Sequence, residues 1–313
     1  MTTAIDAVQT QILPRVCGIP LVPSAICGVV QPQLAVQTTP LQRADFPGLA
    51  RIQDVALDTL LEKSSGGSAL AVNVKHAELA VKDLVAAVRA SNLSIKSVLA
   101  DALSNFAADA HSAGHGLQRL TARMHVAVDS IASLNTYALR TIEAATERTS
   151  AEIERTVRRA FEASIDGLSS QLTRVIVEAT TTMVALDRLE DRLFEIRSLC
   201  VPEALLTEVE LHDLLWTIWS ILGSNKEKIR DLRHREAVLR EVAQYRAVAL
   251  AYVSAAAQTL QGLEAELSEL RDRLTGVAAG PHDMPVEVHL ASIERSIRRF
   301  DAGAQGRGHV IDA

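Results

Sequence analysis

A seven-residue repeat of apolar side chains is the strongest constraint that this 313-residue sequence places on its fold. The repeat occurs in three separate stretches, each accompanied by a second apolar series three residues later. Its principal members are Leu103, Ala110, Leu117, Met124, Ile131 and Ala138, then Ile165, Leu172, Ala179, Leu186 and Leu193, and finally Leu232, Leu239, Val253, Leu260, Leu267 and Leu274. A repeat of this length is typical of a coiled-coil seam, so it predicts long helices packed side by side.

Composition supports an all-α protein. Aromatic residues make up only 3% of the chain, which suits thin helix–helix seams better than a thick globular core. Between Leu93 and Val201 there is no proline, and good helix formers predominate. Because alternating apolar and polar residues are nearly absent, the sequence predicts no β-sheet.

The first ordered segment is predicted to begin at Asp45-Phe46-Pro47, which combines a capping side chain with an early proline. Ser64-Ser65-Gly66-Gly67-Ser68 is expected to end this helix and to form a flexible joint. A second helix should follow from about Leu70 to Ala90, before Ser91-Asn92 interrupts it.

The first two heptad stretches predict a helical hairpin. The register slips by one residue between them, within the polar run Thr146–Arg159, and Thr149 and Glu152 have the spacing of a capping box. We therefore place a tight turn at Thr146–Ser150 between two helices of about 50 residues each. The alternative is one continuous helix of about 105 residues, roughly 155 Å long. The hairpin is favoured because a single rod could not bury both seams.

Pro202 is expected to open a third long helix that continues to about Thr275, with a bend at Gly223-Ser224. A short final helix should span Val286–Phe300. The predicted fold is an elongated antiparallel coiled-coil bundle of three long helices plus shorter flanking helices. It occupies residues 46–302, after an irregular arm at 1–45 and before a flexible, glycine-rich tail at 303–313.

The N-terminal arm differs from the rest of the chain. Val16–Gln42 contains four prolines and no charged residue, and its apolar part is too short and too broken to span a bilayer. It also does not resemble a simple signal peptide, because the residues before it include Asp6 and lack a cluster of basic residues. We interpret it as a packed or lipid-contacting arm.

The chain has three cysteines. Cys17 and Cys27 could form a disulfide in an oxidising compartment, leaving Cys200 free. The alternative is three free cysteines in a reducing compartment. A Cys17–Cys27 bridge would indicate a membrane-associated or secretory location, and its absence a cytoplasmic one.

Little in the sequence indicates catalysis. His111 and His115 have the spacing of a two-histidine metal face, but both are expected to point away from the seam, without a partner motif on another helix. Neither a phosphate-binding glycine loop nor a nucleophile–histidine signature is evident. The sequence therefore predicts a protein that is not an enzyme and has no catalytic, cofactor-binding or metal-binding residues.

The charge pattern argues against nucleic acid. The net charge is −6, and the most basic run, Lys226–Arg240, also contains Glu227, Asp231 and Glu236. Such interleaving is typical of a solvated helix face with intrahelical ion pairs.

Both tryptophans lie in the apolar segment Leu214–Leu222. It either packs under neighbouring helices or forms a patch for a protein partner or a membrane surface. The candidate patch residues are Leu215, Trp216, Ile218, Trp219 and Leu222.

Four runs, Ala71–Arg89, Ala127–Ala145, Leu214–Asn225 and Met284–Ile297, resemble in this order an uncharacterised family of fungal long-helix proteins. The resemblance covers most of the chain from about Val16 onward. It implies a helical fold, with membrane-linked segments in some members, and no assigned activity.

Together these features predict a non-enzymatic scaffold or tether that contacts a protein partner, or a second copy of itself, through helical surfaces. The alternative is a membrane-acting helical protein, similar to pore formers, that uses residues 16–42 or 214–222.

Overall fold

The computed structural model describes residues 44–200, 211–222, 229–275 and 284–311. Helices account for 93% of these residues, and the described ranges contain no β-strand, so the all-α prediction is confirmed. A 3₁₀ turn at Leu211–Asp213 leads into the fourth of six packed α-helices, all of which belong to the compact unit Gln42–Ala313. They are α1 (Phe46–Arg89), α2 (Lys96–Glu143), α3 (Ser150–Cys200), α4 (Leu214–Leu222), α5 (Ile229–Thr275) and α6 (Val286–Ile311).

Four long helices form the body of this unit. In the described structure α1 packs against α2 and α5, and α3 packs against the same two helices. Cross-helix contacts show that neighbours run in opposite directions, because higher numbers on one helix meet lower numbers on the next. The diagnostic pairs are Gln53–Asn135 and Glu78–His111 for α1 and α2, Asp109–Arg192 and Arg119–Glu178 for α2 and α3, and Asp166–Arg271 and Glu190–Arg246 for α3 and α5.

The heptad positions are buried in the bundle, as the apolar repeat predicts. Every principal member on α2 and α3 is buried, as are those on α5 from Leu239 onward. In the companion series Leu134 is only half-buried, and the side chain of Leu232 lies outside the described residues. The apolar repeat therefore identifies the core faces of these three helices.

The predicted flexible joint at Ser64–Ser68 is wrong, because α1 continues through it without a break. The hydroxyls of Ser64 and Ser65 donate hydrogen bonds to backbone carbonyls one turn earlier, at Leu61 and Glu62, which keeps them compatible with a helix. Gly67 is buried opposite Tyr252 of α5, where the absence of a side chain makes room for the phenol. The bundle therefore has four long helices, of 44, 48, 51 and 47 residues, instead of three.

The two ends of the α2–α3 pair agree with the predicted hairpin. Helix α2 ends at Glu143 and α3 begins at Ser150, so the prediction of a turn near Thr146–Ser150 is confirmed. Glu152 accepts hydrogen bonds from the backbone N–H and the hydroxyl of Thr149, at 3.3 and 2.9 Å. At the start of α1, Asp45 caps the helix by accepting a 2.8 Å hydrogen bond from the Gly48 N–H.

The prediction of one long helix from Pro202 to Thr275 needs correction. The guanidinium carbon of Arg240 lies 4.5 Å from the centre of the Trp216 ring. In a continuous helix, 24 residues would separate these groups by about 36 Å. Helix α4 therefore folds back beside α5, where it also contacts α1.

The final helix is longer than the sequence predicts. It begins at Val286 as expected but extends to Ile311, beyond Phe300 and into the glycine-rich segment at 303–313. Glycine weakens a helix by about 1 kcal/mol per residue, yet an established helix adds further residues without a new nucleation step. Helix α6 packs against α1 and α2, and Arg299 forms ion pairs with Asp54 and Asp58 of α1.

Candidate functional site

The outer surface between α2 and α3 is a long open groove, which we call the α2–α3 groove. Three hollows lie along it, with volumes of about 410, 550 and 690 Å³ from the Ser112 end to the hairpin turn. Tyr137 lines both the middle and the turn-proximal hollow, so these two adjoin each other. The smaller helices do not fill the groove: α4 packs against α1 and α5, and α6 against α1 and α2.

Small residues line much of the groove. Its walls include Ser112, Gly116, Ser130, Ser133, Ala144, Ala160, Ala163, Gly167 and Ser170. A Cβ atom on Gly167 would overlap the side chain of Leu134, and one on Gly116 would lie 2.9 Å from the Thr182 hydroxyl. These glycines allow α2 and α3 to approach closely, with Leu134 packed on Gly167 and Thr182 on Gly116.

Exposed apolar side chains are interspersed with these small residues. Val126 of α2 is 50% exposed, Tyr137 is 63% exposed, and Val184 of α3 is 49% exposed. All three line the hollows. The groove therefore offers apolar surface to a partner along much of its length.

Arginines dominate the charge of the groove. Five arginines and one acidic residue, Asp129, line the three hollows. The arginines are Arg119 and Arg188 at the Ser112 end and Arg140, Arg148 and Arg159 at the hairpin turn. Arg119 donates a 2.8 Å hydrogen bond to Glu178, whereas no ion pair within the described part of the chain involves the other four.

A second polar cluster lies between α1 and α2. The side chain of Glu78 is completely buried and accepts hydrogen bonds from Lys75 and Lys82 at 2.7 and 2.6 Å. The His111 Nδ1 atom lies 3.0 Å from the same carboxylate. Burial favours the neutral acid and raises the pKa of Glu78, but the bonds to Lys75, Lys82 and His111 outweigh it and lower the pKa to about 2. This cluster holds α1 and α2 together and has little exposed carboxylate to offer a ligand.

The two histidines are exposed, as expected, but they are not isolated. His111 contacts Glu78, and its ring packs edge-on against His115 with centroids 4.5 Å apart. Among the described residues, no group of three or more His, Cys, Asp or Glu side chains is arranged to hold a metal ion.

Most of the candidate patch on α4 faces the interior. Leu215, Ile218 and Trp219 are 2%, 2% and 7% exposed, while Trp216 is half-buried beneath Arg240. The side chain of Leu222 lies outside the described residues. The observed arrangement matches packing under neighbouring helices, the other sequence interpretation of this segment.

Of the three cysteines, Cys200 belongs to the described structure. Cys17 and Cys27 lie outside the described residues, so their pairing stays a prediction. Cys200 is a free thiol at the end of α3, and burial raises its pKa to about 11. A thiol in this setting is a poor nucleophile at neutral pH.

Sequence reasoning did not identify the arginines of the groove or Glu78. Arg140, Arg148 and Arg159 lie on both sides of a turn. In the sequence, each is surrounded by residues of mixed charge and does not stand out. The antiparallel pairing of α2 and α3 brings them to one hollow. A count of charges on the outer faces of the predicted hairpin could have detected this cluster.

No protein-family model matches this chain, and a comparison with curated proteins gives no match either. The resemblance to fungal long-helix proteins therefore stays a prediction. In the part of the chain that the structure describes, no helix combines the length and apolar character needed to cross a membrane.

Proposed function

We propose that this protein is a non-enzymatic helical scaffold or tether that binds a protein partner through its surface. The observation that carries the proposal is the α2–α3 groove, a long concave surface with exposed apolar side chains that α4 and α6 do not fill. Exposed apolar side chains along a concave surface are a feature of sites that bind a partner. We also propose that the chain belongs to the family of fungal long-helix proteins that its sequence resembles.

We also propose that the four long helices pack as an antiparallel coiled coil. Burial of the heptad positions on α2, α3 and α5 supports this arrangement. A rigid body of this kind suits a scaffold, because helices of 44 to 51 residues can hold a binding surface in a fixed orientation.

Proximity labelling in the source cells tests the scaffold proposal. The informative variant is Val126→Asp with Val184→Asp, which places two charges in the groove. Its matched control is Val72→Asp with Val248→Asp, on α1 and α5, where the valines are 51% and 48% exposed, compared with 50% and 49% in the groove. We expect a set of labelled proteins to disappear with the groove variant and to persist with the control. An unchanged set of labelled proteins in the groove variant would contradict the proposal.

The alternative, membrane action through residues 214–222, has weaker support. Leu215, Ile218 and Trp219 would have to leave the bundle before they could enter lipid. Co-sedimentation with liposomes, with and without residues 16–42, distinguishes the two functions. Sedimentation that depends on residues 16–42 would favour the membrane function.

A further inference from the structure

The charge at the hairpin end of the α2–α3 groove is opposite to that of the whole chain. The chain has a net charge of −6, whereas the turn-proximal hollow is lined by Arg140, Arg148 and Arg159 and by no acidic residue among those described. These three guanidinium groups have no ion-pair partner within the described residues. Three arginines around one hollow, of which Arg148 interacts electrostatically with Glu152, attract an anionic partner.

Glu152, at the start of α3, is close enough to Arg148 for the two charges to interact. Its carboxylate is already held by Thr149, whose hydroxyl and backbone N–H both donate to it. The hydrogen bond from the Thr149 hydroxyl is the main reason that the pKa of Glu152 is lowered, so this group stays ionised and fixed at the cap. Even if Glu152 is counted with the hollow, three arginines leave a net positive charge of two.

The shape of the groove favours a rod over a flat surface. The residues that line it on α2 run from Ser112 to Thr141, about 44 Å at the rise of an α-helix. Its walls of serine, glycine and alanine allow close approach of another helix. Tyr137 is the only aromatic residue among those that line the hollows, so the groove lacks a series of stacking platforms for nucleic-acid bases.

We propose that the α2–α3 groove binds an acidic amphipathic helix of a partner protein, whose carboxylates pair with Arg140, Arg148 and Arg159. The apolar face of that helix packs on Val126, Leu134 and Tyr137, in the helix-in-groove mode of recognition. The inference rests on the proposed scaffold function and specifies the chemistry of the partner. The arginines select for negative charge, and the apolar and small residues supply the contact area.

The inference can be tested with two synthetic helical peptides of 21 residues. Both have leucine at heptad positions a and d; one has glutamate at e and g, and the other has lysine there. Each carries fluorescein and is titrated with the full-length protein in a fluorescence anisotropy experiment at low and at moderate salt. We expect the glutamate peptide to bind about 10-fold or more tightly than the lysine peptide, with an affinity that falls as salt increases.

Charge-reversal variants locate the binding site. The triple variant Arg140→Glu, Arg148→Glu and Arg159→Glu should weaken binding of the glutamate peptide about 10-fold or more. The control Arg51→Glu, Arg273→Glu and Arg298→Glu changes the net charge equally, and these exposed residues lie on α1, α5 and α6. It should weaken binding less than about 2-fold. Circular dichroism establishes that both variants are folded, as expected for exposed sites.

Several outcomes would overturn the inference. They are no binding of the glutamate peptide, equal binding of both peptides, and equal losses in the two triple variants. Arginine-dependent binding to phosphatidylserine vesicles without peptide binding would show that the partner of the groove is a membrane surface and not an acidic helix. If the peptides fail while proximity labelling still depends on Val126 and Val184, only the acidic-helix inference is wrong and the scaffold function stands.

Discussion

Gln53 of α1 and Asn135 of α2 form a reciprocal amide pair inside the bundle. The Gln53 Nε2 atom donates to Asn135 Oδ1 at 2.9 Å, and the Asn135 Nδ2 atom donates to Gln53 Oε1 at 3.0 Å. Both residues are 2% exposed, so neither amide can exchange its partner for bulk water. A buried polar pair in an apolar seam fixes the register of two helices, because a shift of either helix would leave both amides without partners.

The first prediction concerns this pair. Asn135→Leu should destabilise the protein by about 1–3 kcal/mol, because it leaves the Gln53 amide buried without its partner. Gln53→Leu together with Asn135→Leu should cost less than the sum of the single changes, since no polar group is then stranded. Urea unfolding of the four proteins in a double-mutant cycle measures the coupling. Additive costs would show that the two amides do not act as a pair.

The second prediction uses two helical glycines with opposite surroundings. A Cβ atom on Gly67 would lie 2.6 Å from the Thr121 hydroxyl and 2.8 Å from that of Tyr252. Gly67→Ala should therefore destabilise by about 1–3 kcal/mol through overpacking. A methyl group added at Gly262 of α5 would meet no neighbouring atom within 4 Å, so Gly262→Ala should stabilise by about 0.5–1 kcal/mol through helix propensity alone.

Thermal melting of Gly67→Ala and Gly262→Ala shows directly whether each change stabilises or destabilises the protein. Stabilisation in both would mean that Tyr252 moves aside at little cost and that α1 and α5 are not closely matched at Gly67. Destabilisation in both would indicate instead that Gly262 has a role that its open surroundings do not explain.

Features that are local in the chain were predictable from the sequence. Heptad positions such as Leu117 and Leu172 are fixed by spacing within one helix, so their burial could be predicted. The turn after α2 was also predictable, because the change of register and the Thr149–Glu152 spacing occur in one short segment.

Features that depend on another helix were not predictable in this way. Gly66-Gly67 reads as a break in isolation, yet in the bundle it accommodates Tyr252, which is more than 180 residues away in the sequence. The reversal between α4 and α5 is fixed by packing of α4 on α5 and α1, which the apolar pattern of Leu214–Leu222 does not specify. The arginine cluster of the groove likewise required knowledge of which faces the smaller helices leave open.

The third prediction is a pH dependence that arises from Glu78. Its pKa is about 2 in the folded protein and near 4.5 as a free side chain, so ionised Glu78 stabilises the fold above about pH 4.5. This stabilisation, up to about 3 kcal/mol, should be lost progressively as pH falls from 4.5 towards 2. Urea unfolding at several pH values should show a decline that is steeper in the parent protein than in Glu78→Gln.

Glu154→Gln is the matched control for this experiment. Glu154 is an exposed carboxylate of α3 that forms no ion pair within the described part of the chain. Its replacement should leave the acid-dependent decline in stability unchanged. Equal slopes for the parent protein and Glu78→Gln would mean that Lys75, Lys82 and His111 do not hold the carboxylate ionised in solution.

The last prediction distinguishes packing of α4 from its use as an exposed patch. Leu215 is 2% exposed and faces the bundle, whereas Ser220 on the same helix is exposed. Leu215→Lys should destabilise by several kcal/mol, because it places a charge at a buried position of the hydrophobic core. Ser220→Lys adds the same charge on the solvent side, near the helix C-terminus, and should change stability by less than about 0.5 kcal/mol.

Urea unfolding followed by tryptophan fluorescence suits this test, since Trp216 and Trp219 report directly on α4. If Leu215→Lys were as stable as Ser220→Lys, residue 215 would be solvent-accessible in solution, and the patch formed by Leu215, Ile218 and Trp219 would regain its place as a candidate contact surface.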